Sequence, residues 1–250
     1  MPIETEHGAH KVPGPWTSTI SLHDPDIVFV SEAQYEADNN EDRDKLNFYF
    51  KYFKTELRPL ESSNVSRSMF LIKPSVNYVR CEEFKHPEAS TIIIRVMQGP
   101  RKLITLAGTY RQWHKLDQTW NCPTIDSEEQ SLRFYNVLNV WKDSFNNKGD
   151  HHLFGDINID CNISNDPMKQ RDLRLLIPKF DGFLGDQLLT QMNWEDTRFP
   201  GNQQSSLLDL IVTHAPEKVD SILAHHNPCS KNVILTWSFK VNPVTYNQQL

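Results

Sequence analysis

The chain has 250 residues, 38% of them hydrophobic and 23% charged, with a formal net charge of −6. That composition belongs to ordinary globular proteins and is long enough for one large α/β domain with a full core, or two small ones. No apolar run approaches the roughly 18 residues of a membrane span, and the acidic balance gives no general support to a nucleic-acid binder, whose affinity rests on neutralising phosphates.

In chain order, residues 1–19 are polar, proline-punctuated and without period, and read as an irregular leader with no basic or apolar signal segment. A short β-rich run, Ile27 to Val30, ends at Ser31-Glu32. Residues 35–63 are charged, aromatic and poorly periodic, and read mostly as loop. "SMFLIK", "STIIIRVM" and "KLITLAGTY" are three strands, the last two joined by a tight turn at Gly99-Pro100 into an antiparallel hairpin. A helix starts at Ser127, where Ser127 and Gln130 form a capping box, and its apolar face is Phe134, Leu138, Trp141 and Phe145. "HHLFGDINID" is a buried strand breaking into a loop; "MKQRDLRLLIPKF" and "GDQLLTQMNW" are helical patterns. "SSLLDLIVTH" and "NVILTWSFKV" are the closing strands, and residues 241–250 are a tail. Strands arriving as hairpins with helices between them favour two packed sheets flanked by helices. Cys81, Cys122, Cys161 and Cys229 have no paired spacing, which argues against a zinc site or disulfide framework and suits a reducing compartment.

Three carboxylates stand at or in strands: Glu32, Asp156 and Asp209. Each alone reads as an ordinary carboxylate; their company suggests more. Asp156 and Asn158 lie two residues apart, so in extended geometry they point to one side and could together hold a water and a phosphate oxygen. One or two carboxylates plus substrate phosphate is a common way of holding Mg²⁺. Tyr110 brings a hydroxyl to the end of a third strand. The His151-His152 pair reads as a strand start, since adjacent residues face opposite ways. Arg111, Lys115, Thr197 and Arg198 could touch a nucleic-acid backbone or be solvated loop groups; Trp113 and Trp120 read as core packing.

"PDIVFVSEA", "LAGTYRQW", "LFGDINID", "DTRFPGNQQSSLLDLIVTHAP" and "SKNVILTWSF" together resemble the endonuclease/exonuclease/phosphatase superfamily over roughly residues 20–240. The closest likeness is to the endonuclease domain of LINE-type (non-LTR) retrotransposons. The resemblance implies a four-layer α/β/β/α sandwich of two mainly antiparallel sheets (DNase I-like) and Mg²⁺-dependent phosphodiester cleavage. DNA is the implied partner, with no membrane, no small-molecule cofactor, an intracellular location in nucleus or cytoplasm, and the oligomeric state left open. By the same resemblance Glu32 is the metal-binding glutamate and Tyr110 a phosphate-contacting tyrosine. Asp156 orients or deprotonates the attacking water and shares the metal, with Asn158 beside it, and Asp209 orients a catalytic histidine.

The departures fall at two places. The family's last strand opens Ser-Asp-His, and this chain reads Ser230, Lys231, Asn232. A lysine cannot support a metal, and an asparagine cannot donate a proton as an imidazolium does. His225 and His226 lie out of register, which leaves Asp209 without its partner. The family's first strand, with its asparagine, reads as missing or replaced within residues 1–19. These features favour a catalytically eroded endonuclease domain. A non-catalytic nucleic-acid- or protein-binding module on the same scaffold is the competing reading, and a phosphatase of small phosphates carries less weight.

Overall fold

A computed structural model describes residues 24–36, 38–59, 65–81, 86, 89–97, 103–112, 127–144, 149–159, 161, 176–199, 205–226 and 233–239. The leader, the tail, Gly99-Pro100, Trp113, Lys115, Trp120, Phe145, Lys231 and Asn232 lie outside them.

β-branched and apolar runs build three groups of strands among the described residues. The first is a three-stranded antiparallel sheet in the order β1 (Ile27–Glu36), β3 (Val65–Ile72), β2 (Lys54–Pro59). The second has six strands, ordered β4 (Tyr78–Arg80), β5 (Ala89–Met97), β6 (Leu103–Arg111), β7 (Asp150–Asp156), β9 (Asp209–Thr213) and β8 (Thr190–Gln191). Among the described strands only β6 and β7 pair in parallel; β5 and β6 form the expected antiparallel hairpin. The third is a hairpin of β10 (Val219–His226) and β11 (Val233–Phe239).

Three apolar clusters separate four layers. Phe70, Ile72, Ile92, Ile94, Leu106 and Phe154 fill the space between the sheets, with Ile222 and Leu235 of the hairpin packed against them. Phe134, Leu138 and Trp141 of α2 (Ser127–Ser144) and Phe180 and Phe183 of α3 (Leu176–Asp186) cover the outer face of the six-stranded sheet. Leu46 of α1 (Asn40–Tyr49) covers the outer face of the three-stranded sheet against Met69 and Leu71. Burying whole faces of two sheets this way stabilises the sandwich by removing apolar area from water, at about 25 cal/mol per Å².

Several elements differ from the sequence reading. Residues 35–63 are not mostly loop: β1 runs on to Glu36, and α1 and β2 follow. Beyond Asp186 the segment "GDQLLTQMNW" is not helical. The chain leaves α3 at Leu188, whose φ of +53° is left-handed, while Gln187 N–H still bonds Phe183 O and Leu189 N–H bonds Leu184 O. Such a closure ends a helix and frees residues 190–191 to add an edge strand. β4 and β10 were not read at all. His225 and His226 lie in β10, paired with Ile234 and Val233.

Candidate active site

One register row assembles most of the chemistry. Tyr110 on β6 pairs with Asp156 on β7, and Asp156 pairs with Asp209 on β9, so the three residues stand side by side across adjacent strands. Ser90 of β5 pairs with Tyr110 and extends the row. Directly opposed residues share a face. That face is the one toward the other sheet, because the next row inward, Ile92, Gly108, Phe154 and Ile211, lines the inter-sheet core. Tyr110 is 6% and Asp156 8% exposed, so this is a largely enclosed end of the sandwich. Asp209 opens β9 rather than sitting within it, and it is not an orphan charge.

Two glycines let the sheets approach here. A Cβ on Gly108 would meet Phe29 Cδ2 at 2.3 Å, and one on Gly155 would meet Thr109 O at 1.9 Å and Phe29 Cε1 at 2.9 Å. Gly155 also has φ of +129°, a conformation L side chains rarely adopt. Phe29 therefore seats its ring on the glycines, 5.4 Å from the Phe154 ring centroid, and carries β1 to the end where the carboxylates lie.

Beyond Asp156 the chain is not extended. Asn158 has φ of +50°, and its backbone N–H donates to Asp156 Oδ1 at 2.8 Å. This side-chain-to-backbone turn fixes the carboxylate, whereas extended geometry had suggested two parallel side chains. Asn158 Nδ2 donates to Arg111 O at 2.5 Å, tying the loop to the end of β6. Arg111 is 3% exposed; its Nη1 donates to Ile157 O at 3.2 Å and its Cζ lies 4.9 Å from the Phe134 ring centroid. It braces the end of β6 against the loop after β7. Thr197, fully buried, is also structural: its Oγ1 accepts from Leu208 N at 3.1 Å and Asp209 N at 3.0 Å. Arg198 is exposed and bridges only to Ser206 through the backbone.

No family model matches the chain, and no curated protein does. Solved structures do. The endonuclease domain of TRAS1, a telomere-specific non-LTR retrotransposon, aligns with a TM-score of 0.59 at 11% identity, covering 90% of this chain and 89% of that one. The 3′ phosphatase NExo from Neisseria, bound to a product DNA hairpin, gives 0.59 at 12% identity over 91% and 94%. A beta toxin variant from Staphylococcus aureus with bound magnesium ions gives 0.55 at 14% identity over 90% of each. The chain has the endonuclease/exonuclease/phosphatase fold.

Within that fold, Glu32 lies in the irregular stretch of β1 between Ser31 and Tyr35. Ser31 pairs with Ser68 of β3, and Ser68 Oγ donates to Ser90 O at 2.5 Å. Ser90 belongs to the Tyr110–Asp156–Asp209 row, so the Glu32 backbone enters at the same end. Three groups here escaped the sequence reading. Asn193, 6% exposed, donates to Asp209 O at 2.8 Å and accepts from Ile211 N at 2.7 Å, fixing β9 from its far side. Arg67 of β3 reaches across and places Cζ 5.8 Å from the Tyr110 ring centroid. Ser90 Oγ donates to Arg58 O at 2.7 Å and joins the sheets beside the row. "VSRSMFLI" gave no signal for Arg67, since a lone arginine in a strand reads as solvated.

Proposed function

We propose that this chain is a phosphodiesterase domain of endonuclease type, of retrotransposon origin, whose DNA-nicking chemistry is eroded at its final strand. The observation that carries the reading is the enclosed row of Tyr110, Asp156 and Asp209. The row brings two carboxylates and a phenol to one strand end of adjacent strands. Their hard oxygen donors fit magnesium, which Asp156 would hold with Glu32 as the second carboxylate. Bound there, the ion would supply charge neutralisation at the phosphate. Asp156, its carboxylate held by the Asn158 N–H, orients and deprotonates the attacking water, and Tyr110 contacts the phosphate through its hydroxyl. Asp209 would orient an imidazole, but the positions of the family's Asp-His pair read Lys231 and Asn232 in this sequence. An amide supplies no proton, a loss worth about 10²–10⁴ in rate, and an ammonium opposes the metal. That pair also favours the second reading, a scaffold that binds nucleic acid or protein without cutting.

The test is nicking of supercoiled plasmid with magnesium. Wild type should nick weakly. Lys231→Asp with Asn232→His should raise the rate at least about tenfold, and adding Asp209→Asn should remove much of the gain because the groups act as a unit. Asp156→Asn should abolish nicking. A folded double variant that binds DNA and never nicks would leave the binding scaffold as the function.

A further inference from the structure

Arg67 is a cationic side chain beside this row that the chemistry above does not use. We propose that it is a phosphate-binding residue, gripping a nucleic-acid phosphate beside Tyr110 without help from a metal. The inference rests on reading the cleft as a phosphodiester site.

Its backbone is fixed. β3 is the central strand of its sheet, and the flanking Ser66 and Ser68 are fully buried. Ser66 pairs with both Tyr35 and Pro59, and Ser68 bonds across to Ser90 O at 2.5 Å. From that anchored position the half-buried Arg67 places its guanidinium on the Tyr110 ring. Asp156 stands on the strand next to Tyr110, about 4.8 Å further on. Yet Arg67 forms no ion pair with it or with any other carboxylate among the described residues.

Satisfied arginines in this protein look different. Arg80 Nη1 bonds Glu56 Oε2 at 2.7 Å and its Nη2 bonds Leu57 O at 2.9 Å; Arg111 bonds Ile157 O. Arg67 has the cation–aromatic contact with Tyr110 and no acceptor among the described residues. A guanidinium drawn partly out of water calls for an anion. Its planar fork of five N–H donors, held beside the Tyr110 ring, fits a phosphate in two-pronged fashion. The other expected donors are compromised: Asn158 commits an amide hydrogen to Arg111 O, and the histidine position reads Asn232. Arg67 thus lets polyanion binding outlast the loss of metal chemistry.

The experiment is fluorescence anisotropy of a labelled DNA duplex in EDTA, across a salt series, with circular dichroism of every variant. Wild type should bind. Arg67→Ala should weaken binding about tenfold to a hundredfold and reduce the slope of log affinity against log salt by about one. Arg67→Lys should keep the slope and lose part of the affinity. Lys142→Ala, on the exposed side of α2, should change neither. If the alanine variant unfolds, Arg67→Gln carries the same slope criterion, since it keeps hydrogen bonding and removes the charge. Wild-type binding with an unaltered affinity and slope in Arg67→Ala would overturn this role and leave the proposed function standing. No binding in EDTA, with magnesium-dependent nicking by the restored double variant, would overturn metal-free gripping alone. Neither binding nor nicking would overturn both.

Discussion

Thr197 shows what a single buried hydroxyl does for this site. Its oxygen takes two consecutive backbone N–H groups, of Leu208 and Asp209, and so sets the start of β9 where Asp209 joins the row. Thr197→Val keeps the shape and removes the acceptor, leaving those donors unsatisfied at about 1–3 kcal/mol. With about 2 kcal/mol lost, the melting temperature should fall by roughly 4–8 °C, while Thr197→Ser should stay within about 2 °C of wild type. Calorimetry giving equal melting temperatures for the valine and serine variants would remove this role. The same residue marks a limit of sequence reading. Thr197 and Arg111 read as either nucleic-acid backbone contacts or solvated loop groups, because both are polar and near the motifs. Pattern cannot tell a polar group facing solvent from one bracing a loop from behind. Tyr110, Asp156 and Asp209 stood out in the sequence because each is a polar residue at the end of, or within, an apolar strand run.

Among the elements, those with a strong period were readable. β5 and β6 came from continuous β-branched and apolar runs, and α2 from Phe134, Leu138 and Trp141 at helical spacing. α1 buries only Asp42 and Leu46 within its span, too narrow a stripe to show. Its signal was Asn39, whose side chain caps the N–H groups of Glu41 and Asp42. The end of α3 carried no signal, because Leu188 takes a left-handed conformation usually left to glycine.

β7 itself holds an acid-sensitive element. His152 lies on its inner face between Leu106 and Thr213, at the end away from Asp156. Burial lowers its pKa to about 3, helped by His214, His151 and Lys218 and opposed by Asp150. The native state therefore refuses a proton that the unfolded chain accepts below the ordinary value of 6.5. Stability should fall as pH drops from about 6.5 toward about 3, at no more than about 1.4 kcal/mol per pH unit from this group. Urea unfolding of wild type and His152→Gln should give a stability difference that shrinks across this window. A difference constant with pH would mean that His152 titrates normally.

At the scale of the whole molecule, the layers were legible and the links between them were not. Strands arriving as hairpins with helices between them say that two sheets pack, but the polar bonds that set their approach join residues far apart in sequence. Ser68 to Ser90 and Ser90 to Arg58 latch the end that holds the site. A second latch joins the edges: Tyr78 OH donates to Glu56 Oε1 at 2.7 Å, and Arg80 Nη1 donates to Glu56 Oε2 at 2.7 Å. Glu56 belongs to β2 in one sheet, while Tyr78 and Arg80 belong to β4 in the other. Burial, and then the bond to Glu56, push the Tyr78 hydroxyl up to about 12. Because the native state holds this proton longer than the unfolded chain, the contribution is complete below about pH 10 and is lost as pH rises through about 12. Glu56→Ala should weaken the latch by on the order of 1 kcal/mol at neutral pH. It should also lower the Tyr78 pKa toward 10 without reaching it, since burial is the larger cause and stays. Tyrosinate absorbance, read as the difference between each protein and its Tyr78→Phe counterpart, isolates this one hydroxyl. An ordinary titration near 10 in wild type, or no shift on removing Glu56, would mean that the sheets are held together at this edge by packing alone.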